Sequence, residues 1–86
     1  MKDLEKIYKA LANRRRLSII KFLKLKKEAS VGDIADYLRL SFKSTSRHLA
    51  VLRGADIIEK DQRGLLAFYR LNTSYHPAIK HLLIIV

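Results

Sequence analysis

Hydroxyls, cations and one imidazole crowd the stretch LSFKSTSRHLAVL, residues 40–52, in an order that follows helical spacing. Ser41 has the side chain of a helix N-cap, able to accept from a backbone N–H of the first turn. Thr45, Leu49 and Leu52 recur at four and three residues, the period of a seam that faces a core. Rotation about the same axis turns Lys43, Ser44 and Arg47 away from that seam. A guanidinium on such a face can bond a guanine edge through two N–H groups, and an ammonium or hydroxyl can reach a base or a phosphate. Ser41 and Ser46 suit phosphate oxygens. His48 lies beside the seam, where bracing the helix against its neighbours is weighed above contact with DNA. The chemistry is recognition of base edges and phosphates in a major groove, not bond making. No cysteine, no Ser–His–acid arrangement, no glycine-rich phosphate loop and no metal-ligand cluster is present to support catalysis. No cofactor or metal is expected.

Such a helix must be held by others. Leu4, Ile7, Tyr8 and Leu11 recur at i, i+3, i+4 and i+7, predicting a first amphipathic helix. Asn13 can cap a second helix that carries Leu17, Ile20 and Leu23. Ser30 with Asp33 resembles a capping box, and Val31, Ile34, Ala35 and Leu38 form the stripe of a short third helix. Arg39 and Leu40 make the turn into the helix that Ser41 caps, and Gly54, Ala55 and Asp56 end it. Runs from Ile57 to Lys60 and from Leu66 to Leu71 flank Asp61, Gln62, Arg63 and Gly64, which reads as a hairpin. Ser74 and Pro77 suit the start of a last helix with Ile79, Leu82, Leu83 and Val86 on one stripe. The fold class expected is mostly α with a small β-hairpin, in the order α-α-α-α-β-β-α. That is the winged helix-turn-helix order, the hairpin being the wing. No repeat or linker divides it, so residues 1–86 read as one DNA-binding domain.

The 18 Lys and Arg residues against 8 Asp and Glu give a formal net charge of +10, a field that favours a polyanionic partner. No acid follows Asp61, which leaves Arg63, Arg70 and Lys80 unopposed along the chain. Lys60, Arg63 and Arg70 could straddle the DNA backbone or enter an adjoining minor groove, with Arg63 at the hairpin tip the strongest candidate; solubility and edge protection are the plainer uses of such charges. Arg14, Arg15 and Arg16 crowd a helix start, where the dipole disfavours cations; a bound phosphate is one reading, and salt bridges to nearby acids or simple solvation are weighed equally with it. The absence of cysteine fits a reducing compartment. The longest apolar run, LLIIV, is far below the roughly 20 residues of a bilayer span, and no signal-peptide core opens the chain, so a cytoplasmic protein is expected. An 86-residue chain has little core, and the terminal apolar stripes exceed what it can cover. A homodimer through Leu4, Ile7, Tyr8, Leu11, Ile79, Leu82, Leu83 and Val86 is therefore expected.

Three segments carry a family likeness: KALANRRRLSII (Lys9 to Ile20), LSFKSTSRHLAVLRGA (Leu40 to Ala55) and AFYRL (Ala67 to Leu71). Together they resemble the ArsR family of winged-helix repressors, with Ser46, Arg47, His48 and Leu49 matching its SRHL run. The resemblance implies a dimer built on the first and last helices, with two recognition helices on a pseudo-palindromic site. It also marks departures. Where thiolate-sensing members carry ELCVCD, this chain has EASVGD, Glu28 to Asp33, so Ser30 and Gly32 stand at the cysteine positions and cannot bind soft metals. A metal site like that of other members, on the last helix, would have only His76 and His81, on different faces and with no carboxylate nearby. Asp56 replaces a helix-ending glycine, and Leu65 stands just after the wing glycine, where an arginine is common.

These residues point to double-stranded DNA as partner and to a sequence-specific transcriptional regulator, a repressor first. Two alternatives stand beside it. Leu65, Leu66 and the apolar tail would suit a winged-helix module that contacts protein, and charge alone would suit a sequence-nonspecific architectural DNA binder.

Overall fold

The computed structural model describes residues 2–74 and 76–86. Helix α1 spans Lys2–Leu11 and α2 spans Arg14–Lys26, with Asn13 between them in extended backbone. The Asn13 side chain accepts from the N–H groups of Arg15 and Arg16 (3.0 and 3.1 Å), which satisfies two donors the new helix would otherwise leave bare. Helix α3 (Val31–Leu38) opens with the expected reciprocal cap: Asp33 N–H donates to Ser30 Oγ, and Ser30 N–H donates to the Asp33 carboxylate. It closes on Arg39, whose backbone is left-handed (φ 57°). The N–H groups of Arg39 and Leu40 reach back to the Asp36 and Ala35 carbonyls.

Helix α4 (Phe42–Gly54) follows at once. It ends with the N–H of Asp56 on the Arg53 carbonyl and that of Ile57 on the Leu52 carbonyl, Asp56 taking the left-handed position (φ 58°). A glycine would hold that place without strain; a short acidic side chain tolerates it better than most. Strands β2 (Ile58–Arg63) and β3 (Leu66–Leu71) pair antiparallel from Ile58↔Leu71 to Arg63↔Leu66. The connection is thus the two residues Gly64 and Leu65, with Gly64 at φ 63°, where a side chain would be strained. Asp61, Gln62 and Arg63, expected in the turn, belong to the strand, and Arg63 is not the tip.

The sheet has a third member that the sequence did not reveal. β1 (Ala29–Ser30) pairs antiparallel with β3 in the order β1-β3-β2, Ala29 opposite Tyr69 and Ser30 opposite Phe68. Helix α5 (Pro77–Ile85) is capped by His76, whose Nδ1 accepts from Ala78 N–H (3.1 Å), and not by Ser74. The core joins every helix to the sheet. Ile7, Ile19, Ile20, Leu23, Ile34, Leu49, Leu52, Ile57, Ile58 and Ile79 are its large buried side chains. Ile19, not Leu17, completes the buried face of α2. Phe22 of α2 stacks on Tyr37 of α3, ring centroids 4.3 Å apart.

Candidate nucleic-acid interface

Helix α4 is fixed from behind. Thr45, Leu49 and Leu52 have no exposed surface, and the helix rests on α1, α2, α3 and β2. Burying two leucines in this way is worth about 3–6 kcal/mol before entropy is counted, enough to set the rotation of a 13-residue helix. The opposite face follows from that rotation: Lys43, Arg47 and Ala50, at i, i+4 and i+7, are exposed, and Ser44, Ser46 and His48 are half-buried at its flanks. The hydroxyl oxygen of Ser41 accepts from Ser44 N–H (3.1 Å), so it caps the helix and keeps its own proton for an outside acceptor. Exposed residues on this helix that escaped the sequence reading include Phe42, Val51 and Arg53. Phe42, at the first helical position, is 63% exposed. An aromatic next to Ser41 gave no periodic signal because its face is read from the core positions, which it does not share.

His48 is braced, and by a residue the sequence placed elsewhere. The Arg16 guanidinium donates to the carbonyls of Ala10 (2.6 Å) and Lys9 (3.2 Å) at the end of α1, and its remaining nitrogen reaches His48 Nδ1 at 3.4 Å. The negative end of the α1 dipole compensates this cation through those two carbonyls. Burial, and then the charges of Arg16 and Arg15, hold the His48 pKa below its usual 6.5. Its imidazole is therefore neutral at pH 7. Arginine has only donors, so Nδ1 must be the acceptor and the ring proton sits on Nε2.

The wing is less basic than the sequence suggested. Arg63 donates to Glu28 through both terminal nitrogens, to Asp61 at 2.9 Å, and lies 4.6 Å over the Phe68 ring. Arg70 pairs with Glu59 at 3.2 Å and sits 3.9–4.0 Å from Asp61 and Glu28. The expectation that these two cations are unopposed is thus overturned: chain order separates them from Glu28, and the β1–β3 pairing brings it back. Solvent screens these exposed pairs, so they add little stability, but together they fix where the guanidiniums point. Lys60 stays exposed on β2, and Leu65 at the apex has its whole side chain in solvent.

The expected dimer face also changes. Ile7 and Ile79 are buried in the core of the same protomer, 5% and 1% exposed, so they cannot be offered to a second copy. Leu4, Leu11, Leu82, Leu83 and Val86 are half-buried, while Tyr8, Ile84 and Ile85 stand out at 58%, 74% and 67%. Ile84 and Ile85 were passed over because the i, i+3, i+4, i+7 stripe marks the side of α5 that packs on its own protomer. Among the described residues no group of three His, Cys, Asp or Glu side chains is placed to hold a metal ion, and His76 is engaged in its helix cap. No helix among them is long and apolar enough to cross a membrane.

Two helices joined through the Arg39–Ser41 turn, the second presenting an exposed cationic face and leading into a two-stranded wing, define a winged helix-turn-helix module. Residues 13–60, more than half of the chain, match the family model described as bacterial regulatory protein, arsR family. The chain belongs to that family of transcriptional regulators. It is 32% identical to the transcriptional repressor SdpR of Bacillus subtilis (strain 168) over 71 residues, covering 83% of this chain and 78% of SdpR. It is 38% identical over 77 residues to the transcriptional activator HlyU of Vibrio cholerae serotype O1, covering 90% and 70%. Among solved structures it matches HlyU from Vibrio cholerae with a TM-score of 0.82 at 32% identity, over 98% of this chain and 87% of that one. A homodimeric winged helix-turn-helix DNA-binding domain from Mycobacterium bovis gives 0.83 at 26% identity, over 98% and 74%.

Proposed function

We propose that this protein is a cytoplasmic, non-enzymatic repressor that binds a pseudo-palindromic operator as a homodimer, residues 1–86 acting as one DNA-binding domain. The observation that carries it is the orientation of α4: with Thr45, Leu49 and Leu52 buried, Lys43 and Arg47 are delivered to the exposed face. In a major groove Arg47 bonds a base edge, Lys43 and the Ser41 hydroxyl contact phosphate, and Phe42 lies against a thymine methyl. Ser44 and Ser46 flank them. His48 positions the helix from its inner side. In the wing Lys60 contacts backbone, while Arg63 and Arg70 act through the clamp that shapes the hairpin. Two copies meeting through α1 and α5 bring two α4 helices to half-sites about one turn, roughly 34 Å, apart. SdpR is a repressor, and the homodimeric neighbour supports self-association. HlyU is an activator, so the sign of regulation depends on where the operator lies relative to the promoter.

Selection of duplexes from a randomised library at physiological salt tests this. The wild-type protein should enrich an inverted repeat; Arg47→Ala should lose about 1–3 kcal/mol and relax one base position, and Lys43→Ala should weaken all sequences alike and lower the salt slope by about one. Salt-sensitive binding without a motif would replace the regulator with an architectural binder, and no binding would favour a protein partner.

A further inference from the structure

Between the end of α2, strand β3 and the last turns of α5 lies a cleft of about 380 Å³, floored by Leu23, Leu71 and Leu83. That volume falls within the range of about 300–1,000 Å³ usual for small-ligand sites. Leu23 is buried and the other two are half-buried, so part of the apolar floor still meets solvent. At its mouth stand Lys24, Lys27 and Arg70, which differ in what holds them. Arg70 is paired with Glu59 at 3.2 Å. Lys24 donates to the carbonyls of Leu83 and Val86, which engages two of the three donors of its ammonium. Among the described residues no acid pairs with Lys27. Its backbone, at φ 71° and ψ −42°, lies near the γ-turn region, which is strained for a residue with a Cβ and which glycine would hold freely. The α2 dipole favours cations at this end, yet Lys24 and Lys26 already supply them in the last turn. The strain at Lys27 therefore points to a separate use for its ammonium.

We infer that the cleft binds a small aliphatic carboxylate, its head between the ammoniums of Lys24 and Lys27 and its chain along Leu23, Leu71 and Leu83. Charge complementarity selects the head, because two ammoniums three residues apart repel each other until an anion lies between them. The apolar floor selects an alkyl chain, whose transfer out of water drives binding. The carboxylate competes with the Leu83 and Val86 carbonyls for Lys24, so occupancy loosens the end of α5, where Ile84 and Ile85 stand exposed. The cleft is then an effector site whose ligand weakens self-association and, through it, operator binding. That last step rests on the dimeric, DNA-binding reading, whereas binding in the cleft does not.

The test adds decanoate, kept below its micelle concentration, to the whole chain and follows the backbone amides by NMR. Saturable shifts should gather at Leu23, Lys24, Lys27, Leu71 and Leu83. Acetate, which has the head alone, and decanol, which has the chain alone, should each bind at least about tenfold more weakly. Lys27→Gly relieves the backbone and removes the ammonium, so it should fold at least as stably as wild type and bind decanoate about tenfold more weakly. Shifts spread over all the basic faces, with acetate binding as well as decanoate, would overturn the site, as would unchanged affinity in Lys27→Gly. In a second arm decanoate should shift wild type towards monomer in sedimentation and weaken its selected duplex about tenfold, with neither effect in Lys27→Gly. Amide shifts in the cleft with sedimentation unchanged would overturn the effector role. If wild type selects no duplex at all, the DNA-binding reading fails, while the amide shifts and sedimentation still decide the cleft.

Discussion

Arg16 and His48 show how much of a recognition helix is decided by residues that need not touch DNA. One guanidinium holds the carbonyls of Lys9 and Ala10 and the imidazole of His48, so the end of α1 and the flank of α4 share a single planar group. The consequence is a pH dependence with a definite sign. An unfolded histidine titrates near 6.5, whereas burial and the charges of Arg16 and Arg15 depress the folded value. As pH falls from 6.5 towards that lower value the unfolded state binds more protons than the folded one, and stability is lost across that window. Urea unfolding from pH 7.5 to 5 should therefore show a larger acid loss for wild type than for His48→Asn, which keeps an acceptor near the Nδ1 position but cannot titrate. Parallel curves for the two proteins would refute it. Arg16 was legible in the sequence only as one of three cations at a helix start, either paired with an anion or solvated. Its actual partners are backbone carbonyls, which no residue letter encodes.

At the scale of elements, α2 binds both ends of the molecule together. Arg16 near its start holds the C-terminus of α1, and Lys24 in its last turns donates to the carbonyls of Leu83 and Val86 (the latter at 3.2 Å) at the end of α5. Four bare carbonyls at a helix end are a favourable place for an ammonium. Lys24→Met, which keeps the apolar stem, should cost about 0.5–1.5 kcal/mol and speed amide exchange in the last turn of α5. Unchanged exchange there would show that α5 is held by Ile79 and Leu82 alone. The helices were readable because their caps are local: Asn13, Ser30 with Asp33, and Ser41 each act on N–H groups two or three residues away. The sheet was readable only in part. Two residues, Ala29 and Ser30, carry no period, and the polar letters Asp61, Gln62 and Arg63 look like a turn until β3 supplies a ladder for them. The misread wing charges follow from the same gap, since Glu28 meets Arg63 only through that hidden strand. Lys43, Arg47 and the α4 seam came from a strong helical period and so were placed on the faces expected of them.

For the whole molecule, the uncovered apolar surface and the excess charge pull in opposite directions. Tyr8, Ile84 and Ile85 invite a second copy, while +10 on each protomer repels it. Association should tighten as salt rises, opposite to DNA binding, which loosens as counterions are displaced. Ile84→Glu combined with Ile85→Glu should sediment as a monomer at micromolar concentration with its thermal unfolding nearly intact, and should bind an inverted repeat at least a hundredfold more weakly through loss of the second half-site. A wild-type protein that is itself monomeric under those conditions would remove the dimer from the proposal.

Ser30 has two duties, since it pairs with Phe68 across the sheet and caps α3 with its hydroxyl. The wing cannot swing without straining that cap, and α3, on which the reading helix α4 packs, cannot shift without pulling on β3, the central strand of the sheet. On the proposed operator, α4 and the wing would in consequence act as the jaws of a fixed calliper. One added base pair between the step under the wing and the bases under α4 displaces them by about 3.4 Å and a tenth of a turn. A stiff protein would have to give up one jaw to keep the other. Under the proposed function, spacing within a half-site would be read as strictly as its letters.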